Sequence, residues 1–288
     1  MLARAILRQE TMQLNSPQGE DRLASIAGAE VELWEGGQGR PLLLLHPGDG
    51  FDPAADFVRE LTASHRVIAP SHPGFGGSSL PRRLRTVDDL SYFYLDLIEE
   101  LGLQDLVLVG LSFGGWIAAE IAVKNTSRIA GIFLSGSLGV KFSDPMTRDI
   151  ADLFAVPQYA QARLLFSDAH RQTPDYSQLP DETLVRMARN HESFCLYGWA
   201  PTLHNPKLAD RLHRIKVPTR LVWGDEDRVV SPDYGRKLAA AIPGAEFELI
   251  EGAGHYAHIE RPERFAAAVK RFVASLPPAE ERPYEGRD

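Results

Sequence analysis

The chain has 288 residues, of which 44% are apolar and 24% are charged, a balance typical of a globular protein with a sizeable core. Its net charge of −8 disfavours a nucleic-acid partner, because phosphate binding needs a clustered positive surface. The single cysteine, Cys195, excludes an internal disulfide and a cysteine-rich metal site. No apolar run approaches about 18 residues and the charged N-terminal segment is unlike a secretory signal, so we expect a cytoplasmic protein without a membrane span.

Short aliphatic or β-branched runs alternate with helical patterns along the chain, which predicts an α/β protein with a mostly parallel sheet covered on both faces. In chain order, the predicted strands are 31–34, 42–46, 66–70, 106–111, 129–134, 220–223 and 246–250. A helix is predicted from residue 86 to 101, since Thr86 can act as the N-cap and Gly102 provides a left-handed stop. Further helices are predicted directly after Ser112 and over 263–274.

The interval from 139 to 213 lacks strand-like runs and carries helical segments rich in aromatic residues. We interpret it as a helical cap, or lid, inserted into a core formed by residues 22–138 and 214–276. Residues 1–21 and 277–288 are polar, and we expect them to form an N-terminal extension and a loosely ordered C-terminal tail. We expect the protein to act as a monomer or a homodimer.

The sequence GLSFG at residues 110–114 joins a predicted strand to a predicted helix and fits the pattern Gly-x-Ser-x-Gly. In such a turn a serine is held at a strained backbone angle, and side chains at the positions of Gly110 and Gly114 would collide with neighbouring segments. Ser112 would then project above the edge of the sheet as a candidate nucleophile. The alternative interpretation is a tight packing turn without a catalytic function.

A serine hydroxyl is a poor nucleophile near neutral pH, so it needs a base, and the base needs an orienting carboxylate. The predicted strand that ends at Gly224 is followed by three acids, Asp225, Glu226 and Asp227. The last predicted strand is followed by a glycine-rich loop that carries His255. The order along the chain is therefore serine, acid, histidine, with each group expected at the same edge of the sheet.

With these elements, and with HPGFGGS at residues 72–78, the sequence resembles the α/β-hydrolase superfamily over 22–138 and 214–276. The resemblance implies the α/β-hydrolase fold, a mostly parallel central sheet flanked by helices with an inserted helical cap, and the serine-hydrolase branch of carboxylesterases, lactonases and C–C hydrolases. In relatives the acid usually lies three residues after the strand-ending glycine, which favours Asp227 and leaves Asp225 as the alternative.

The resemblance also orders the remaining candidates for the triad. Relatives place their histidine after a glycine, which favours His255 as the base and implies that His258 is a surface or supporting residue. Glu226 is expected to face solvent. Because Ser112 is a serine, the resemblance excludes the epoxide hydrolase and haloalkane dehalogenase branches, which attack with an aspartate at this position.

Acyl transfer also needs two backbone N–H groups for the negative charge that develops on the carbonyl oxygen. The N–H of Phe113, directly after the serine, is the first candidate. The second lies in the sequence HPGDG, where Pro47 has no N–H and leaves Gly48 as the expected donor, with Asp49 as the alternative. We expect the Asp49 carboxylate to turn outward or to bind a cationic or hydroxyl group of the substrate, and His46 to support the loop.

Aromatic residues of the predicted cap are candidates for an apolar pocket above Ser112, although aromatic residues at helical spacing also pack as core. The candidate substrate-binding residues are Asp49, Trp116, Phe154, Phe194, Tyr197 and Trp199. Such a pocket favours a compact small-molecule substrate over a polymer.

We therefore predict a serine hydrolase that cleaves a small, largely apolar carboxylic ester or lactone through an acyl-enzyme intermediate, without a cofactor or a metal. One alternative is a C–C bond hydrolase of the aromatic meta-cleavage type; such relatives usually follow the histidine with tryptophan, where this chain has Tyr256. Two further alternatives are a cofactor-free oxygenase or lyase that uses His255 and Asp227, and a ligand-binding receptor with little turnover.

Overall fold

The computed structural model describes residues 19–144, 146–167 and 175–278, and within them eight strands form one sheet. The strands are β1 (Gly19–Ile26), β2 (Ala29–Gly36), β3 (Pro41–Leu45), β4 (Arg66–Pro70), β5 (Leu106–Leu111), β6 (Ile129–Ser135), β7 (Thr219–Gly224) and β8 (Glu246–Ile250). Their spatial order is β1-β2-β4-β3-β5-β6-β7-β8. β2 runs antiparallel to both of its neighbours, whereas the strands from β4 to β8 are parallel.

Helices cover both faces of this sheet. The helices are α1 (Asp56–Thr62), α2 (Val87–Glu100), α3 (Phe113–Ala122), α4 (Gln158–Leu165), α5 (Asp181–Gly198), α6 (Pro232–Ala241), α7 (Ala257–Glu260) and α8 (Pro262–Ser275), with 3₁₀ turns at Tyr176–Gln178 and Ala209–Arg214. Buried side chains of α1 and α8 pack on one face, and those of α2, α3 and α6 pack on the other. The predicted α/β-hydrolase fold is confirmed.

The central strands have the burial pattern that their apolar runs in the sequence predict. Every residue of β5 and β6 is buried, which is typical of parallel strands covered on both faces and gives continuous apolar runs. Helix α2 begins as expected: the Thr86 side chain accepts a hydrogen bond from the Asp89 N–H, and the Asp89 carboxylate accepts one from the Thr86 N–H. Gly102 follows the helix with φ +61°, a conformation that glycine adopts without strain.

Strand β1 is the strand that the sequence analysis missed, and its first residues fall in the predicted N-terminal extension. Only Ala24 and Ile26 of its eight residues are buried, so the strand has too little apolar alternation to be recognised. It is held at the sheet edge by backbone pairing with β2. The rest of the predicted extension, residues 1–18, and residues 279–288 of the predicted tail lie outside the described residues.

Between β6 and β7 the chain forms α4 and α5, which agrees with the helical character expected there. Helix α5 forms an ion pair with β2 and hydrogen bonds with the loops that follow β3 and β4. Arg186 forms a double ion pair with Glu32 of β2, at 2.8 Å for each N–O contact. The Asn190 amide donates to the Asp49 carbonyl and accepts from the Gly76 N–H, both at 2.8 Å. The part of the chain that the structure describes contains no helix long and apolar enough to cross a membrane.

Candidate active site

The serine turn joins β5 to α3 with no intervening loop. Ser112 has φ 52° and ψ −111°, a backbone conformation that non-glycine residues rarely adopt. A Cβ atom added to Gly110 would lie 2.7 Å from the Gly115 Cα, and one added to Gly114 would collide with the Leu45 carbonyl. Glycine is therefore required on both sides of Ser112 by close backbone packing, as the sequence pattern predicts.

Three side chains from separate segments meet at the carboxyl edge of the sheet. The His255 Nε2 lies 2.8 Å from the Ser112 Oγ, and the His255 Nδ1 lies 2.9 Å from the Asp227 Oδ2. His255, Ser112 and Asp227 are only 2%, 4% and 5% exposed, so water competes little with these hydrogen bonds. The second Asp227 oxygen accepts the N–H groups of Val229 and Val230 at 2.9 and 3.0 Å, which fixes the carboxylate.

The other two acids of the loop have different positions. Asp225 accepts hydrogen bonds from the N–H groups of Gly252 and Ala253, so its carboxylate holds the loop that leads to His255. Glu226 is exposed and pairs with Arg228 at 3.2 Å. Of the three candidate acids, Asp227 is the one that the fold brings to His255.

His258 is buried, which corrects the expectation of a possible surface position. Its ring packs edge-on against Phe57, with centroids 5.1 Å apart, and lies near Phe265. Burial among these rings lowers the pKa of His258 to about 3, because the apolar surroundings disfavour the charged imidazolium. The neutral ring thus supports the packing beneath the His255 loop.

The loop after β3 is held by a pair of buried histidines. The His46 Nε2 accepts the His72 N–H at 3.0 Å, so the His46 Nδ1 carries the proton and donates to the Pro47 carbonyl at 2.7 Å. The His72 Nε2 donates to the His46 carbonyl at 3.0 Å, while its Nδ1 accepts the Tyr94 hydroxyl. Burial lowers the pKa of His46 to about 4. The expected supporting role of His46 agrees with these contacts.

Of the two predicted oxyanion donors, Phe113 directly follows Ser112 in the chain and Gly48 lines the same cavity as Ser112. Phe113 is the first residue of α3, and the N–H groups of the first helical turn have no acceptor within the helix. Gly48 lines the same cavity as Ser112 and lies under the Phe194 ring, where an added Cβ atom would be 2.7 Å from a ring carbon. The absence of a side chain at Gly48 therefore allows the ring to close over the loop.

A narrow cavity, partly open to solvent, lies above Ser112. Three of the six predicted substrate-binding residues, Asp49, Phe154 and Phe194, line it. Leu153, Gln161, Leu165, His191 and Tyr256 also line it, and these residues were not among the candidates. Apart from Tyr256, which follows β8, their position depends on how the inserted segment packs over the sheet, for which the sequence gives no signal apart from the helical spacing.

The other three predicted substrate-binding residues do not line the cavity. Trp116 is buried, and its Nε1 donates to the Glu120 carboxylate at 3.3 Å. Tyr197 is buried with its hydroxyl donating to the Pro73 carbonyl at 3.0 Å. Trp199 is 64% exposed at the end of α5. The first two rings are core residues, consistent with their hydrogen bonds, and the third faces solvent.

Asp49 and Tyr256 form a polar pair on the cavity wall. The Tyr256 hydroxyl donates to the Asp49 Oδ2 at 2.9 Å. Asp49 therefore does not turn away from the site, which corrects the first of the two orientations expected for it. In the sequence, Tyr256 stands where C–C hydrolase relatives usually have tryptophan, and no sequence pattern connects it with Asp49.

Glu260 is a buried residue of the site region that the sequence analysis missed. Its carboxylate accepts the Gly254 N–H and the Ser167 hydroxyl, each at 2.6 Å. It thereby ties Ser167, two residues after the end of α4, to the loop that carries His255. Among residues 19–144, 146–167 and 175–278, no group of three or more His, Cys, Asp or Glu side chains is placed to hold a metal ion.

Comparison with known proteins shows the family to which this chain belongs. The model of the alpha/beta hydrolase family matches residues 42–268. The chain is 31% identical over 283 residues to a 2-hydroxymuconate semialdehyde hydrolase of Pseudomonas putida, a match covering 91% of this chain and 98% of that protein. It is 29% identical over 280 residues to a protein of the same name from Pseudomonas sp. (strain CF600), covering 91% and 97%.

A solved structure shows the same fold. The crystal structure of a serine hydrolase involved in carbazole degradation matches with a TM-score of 0.71 at 24% identity, covering 89% of this chain and 99% of that one. The chain belongs to the α/β-hydrolase family, and it is an enzyme of the serine-hydrolase type.

Proposed function

We propose that this enzyme hydrolyses a carbon–carbon bond next to a carbonyl group in a small substrate, with Ser112 as nucleophile, His255 as base and Asp227 as its orienting acid. The observation that carries the proposal is the buried hydrogen-bond chain from Asp227 through His255 to Ser112, at 2.9 and 2.8 Å. The choice of bond rests on the two relatives named as 2-hydroxymuconate semialdehyde hydrolases. The sequence alone favoured an ester or a lactone, so the relatives reverse the order of these alternatives.

The reaction begins with proton transfer from the Ser112 hydroxyl to the His255 Nε2 as the oxygen attacks the carbonyl carbon. The resulting tetrahedral oxyanion accepts hydrogen bonds from the Phe113 N–H and the Gly48 N–H. Collapse breaks the carbon–carbon bond, and its electron pair passes into the conjugated leaving group, which takes a proton from His255. Water, deprotonated by His255, then hydrolyses the acyl-serine ester and releases a carboxylic acid.

Cleavage of a compact ester or lactone is the second candidate. The observation that supports it is the apolar part of the cavity wall, formed by Leu153, Phe154, Leu165 and Phe194, which suits a small acyl group. The same triad would act, with His255 protonating an oxygen instead of a carbon. The cytoplasmic location and the monomeric or homodimeric state remain predictions.

The two candidates are separated by turnover of a 2-hydroxy-6-oxo-dienoate and of p-nitrophenyl esters. We expect the dienoate absorbance to disappear with release of a carboxylic acid, and Ser112→Ala to lower kcat by at least about 10³-fold. A wild-type enzyme that hydrolyses the esters but leaves the dienoate intact would establish the second candidate. Activity that survives in Ser112→Ala and consumes oxygen would instead support a cofactor-free oxygenase.

A further inference from the structure

The cavity wall next to Ser112 contains a carboxylate that the proposed mechanism does not use. Asp49 lies in the loop after β3, and its Oδ2 accepts the Tyr256 hydroxyl at 2.9 Å. The Asp49 Oδ1 has no hydrogen-bond partner among the residues that the structure describes. One oxygen of this carboxylate is therefore left to accept a hydrogen bond from a molecule in the cavity.

Tyr256 offers the cavity an acceptor as well. Its phenolic proton is committed to Asp49, so the oxygen presents only a lone pair to a ligand. Burial and the neighbouring Asp49 carboxylate raise the pKa of Tyr256 well above its ordinary value, which keeps the phenol protonated.

Gln161 adds a third acceptor to the same cavity. Its Nε2 donates to the carbonyl oxygens of Leu153 and Val156, at 3.0 and 3.3 Å. Because two carbonyls can be satisfied only by the amide nitrogen, the Gln161 Oε1 is the atom left for a ligand. Asp49, Tyr256 and Gln161 thus present acceptor oxygens from one loop after β3, one loop after β8 and helix α4.

We propose that Asp49, supported by Tyr256, is a specificity-determining residue that binds a hydrogen-bond donor of the substrate, a hydroxyl (or enol) or an ammonium group, and disfavours a carboxylate there. A donor supplies the proton that these acceptors lack, whereas a substrate carboxylate would face Asp49 without a shared proton. This inference rests on the proposed hydrolysis at Ser112 and adds the chemical class of the substrate group that faces Asp49. In a 2-hydroxy-6-oxo-dienoate the 2-hydroxyl would be the donor that faces Asp49, and the carboxylate would lie away from Asp49.

The test uses four p-nitrophenyl esters that differ only at the end of the acyl chain: those of hexanoic, 6-hydroxyhexanoic and 6-aminohexanoic acids and the monoester of adipic acid, with shorter and longer homologues. The measured quantity is kcat/KM for each substituted ester divided by kcat/KM for the plain ester of equal length. Such a ratio cancels any general loss of efficiency in the triad. We expect the hydroxyl or the ammonium ester to exceed the plain ester by about 10- to 100-fold, and the carboxylate ester to fall below it.

Two variants test the assignment to Asp49. Asp49→Asn keeps the size of the side chain and removes its charge, and we expect it to lower the donor preference about 10-fold and to raise the ratio for the carboxylate ester. Tyr256→Phe is expected to shift the same ratios in the same direction by a smaller factor. Asp52→Asn is the matched control, since Asp52 lies in the same loop but caps the Ala54 N–H and does not line the cavity.

The outcomes separate this inference from the proposed function. Equal ratios in the wild type, or an Asp49→Asn variant that slows all four esters by one factor, would overturn the specificity role while leaving Ser112 hydrolysis intact. If no ester is hydrolysed, protection of Ser112 from a fluorophosphonate by the four parent acids gives the same comparison. A Ser112 that the fluorophosphonate does not label would overturn the proposed function, and this inference with it.

Discussion

The Asp227 carboxylate determines which nitrogen of His255 carries the proton. Its Oδ1 accepts two backbone N–H groups, from Val229 and Val230, so the Oδ2 is the oxygen that faces the His255 Nδ1. An imidazole with its proton on Nδ1 leaves Nε2 free to accept the Ser112 proton. Two backbone amides therefore orient the Asp227 carboxylate, and the carboxylate keeps the His255 proton on Nδ1.

Asp227→Asn tests this arrangement. The Asn oxygen would accept the Val229 and Val230 N–H groups, which places the amide nitrogen against His255 and forces the His255 proton onto Nε2. We expect kcat to fall on the order of 10³- to 10⁴-fold with little change in KM, measured by steady-state kinetics. Glu226→Gln, on the exposed part of the same loop, is the control and should stay within about twofold. A similar loss in both variants would mean that the loop, and not Asp227, is responsible.

At the scale of elements, helix α5 connects the inserted segment to the loops that surround the site. Asn190 is buried and joins the Asp49 carbonyl to the Gly76 N–H, so one side chain holds the loop after β3 against the loop after β4. Arg186 lies one turn earlier and pairs with Glu32, which lowers the pKa of Glu32 to about 2. Loss of the buried Asn190 amide should therefore lower the free energy of unfolding more than loss of the half-exposed ion pair between Arg186 and Glu32.

Asn190→Ala would leave a carbonyl and an N–H without a partner in a buried position. We expect it to lower the free energy of unfolding by about 1–3 kcal/mol and to lower kcat, because the Gly48 donor belongs to the released loop. Arg186→Gln removes a pair whose Arg186 side chain is 51% exposed, and should cost less than about 1 kcal/mol. Urea denaturation monitored by tryptophan fluorescence compares the two. Equal losses would contradict the bridging function of Asn190.

At the scale of the whole molecule, buried neutral histidines couple stability to pH. His46, His72 and His258 all have pKa values below the ordinary value because burial disfavours their charged forms. Between the unfolded pKa of about 6.5 and the folded pKa, the unfolded chain binds more protons than the folded chain. The stability that these residues contribute is present above about pH 6.5 and is lost as the pH falls.

His258→Gln tests this coupling, because the folded pKa of His258 is about 3. Proton linkage at His258 therefore lowers the free energy of unfolding by about 2 kcal/mol between about pH 8 and pH 5. The difference in unfolding free energy between wild type and His258→Gln should therefore shrink by about that amount over this range. Urea denaturation at several pH values measures it, and the subtraction cancels the other titrating groups. A difference that is constant with pH would show that His258 is not buried in its neutral form.

The fold and the meeting of Ser112, His255 and Asp227 were predictable from the sequence because their signals are local. Parallel strands such as β5 produce apolar runs, and the serine turn needs glycine at positions 110 and 114 whatever lies elsewhere. Strand β1 was not predictable, since most of its side chains are exposed and backbone pairing at the edge of the sheet leaves no periodic pattern. Local signals thus identified the three side chains that the fold brings together and the order in which they occur.

By itself, the sequence determined the class of fold and identified Ser112 and His255 as the candidate nucleophile and base. It limited the candidate acid to three neighbouring residues. Only the tertiary structure decided that Trp116 and Tyr197 are core residues, that Tyr256 bonds to Asp49, and that Gln161 reaches the cavity. The physical reason is that turns and strands are specified by neighbours along the chain. The lining of a cavity depends instead on the rotation and depth at which separate helices pack, and small shifts in either exchange one lining residue for another.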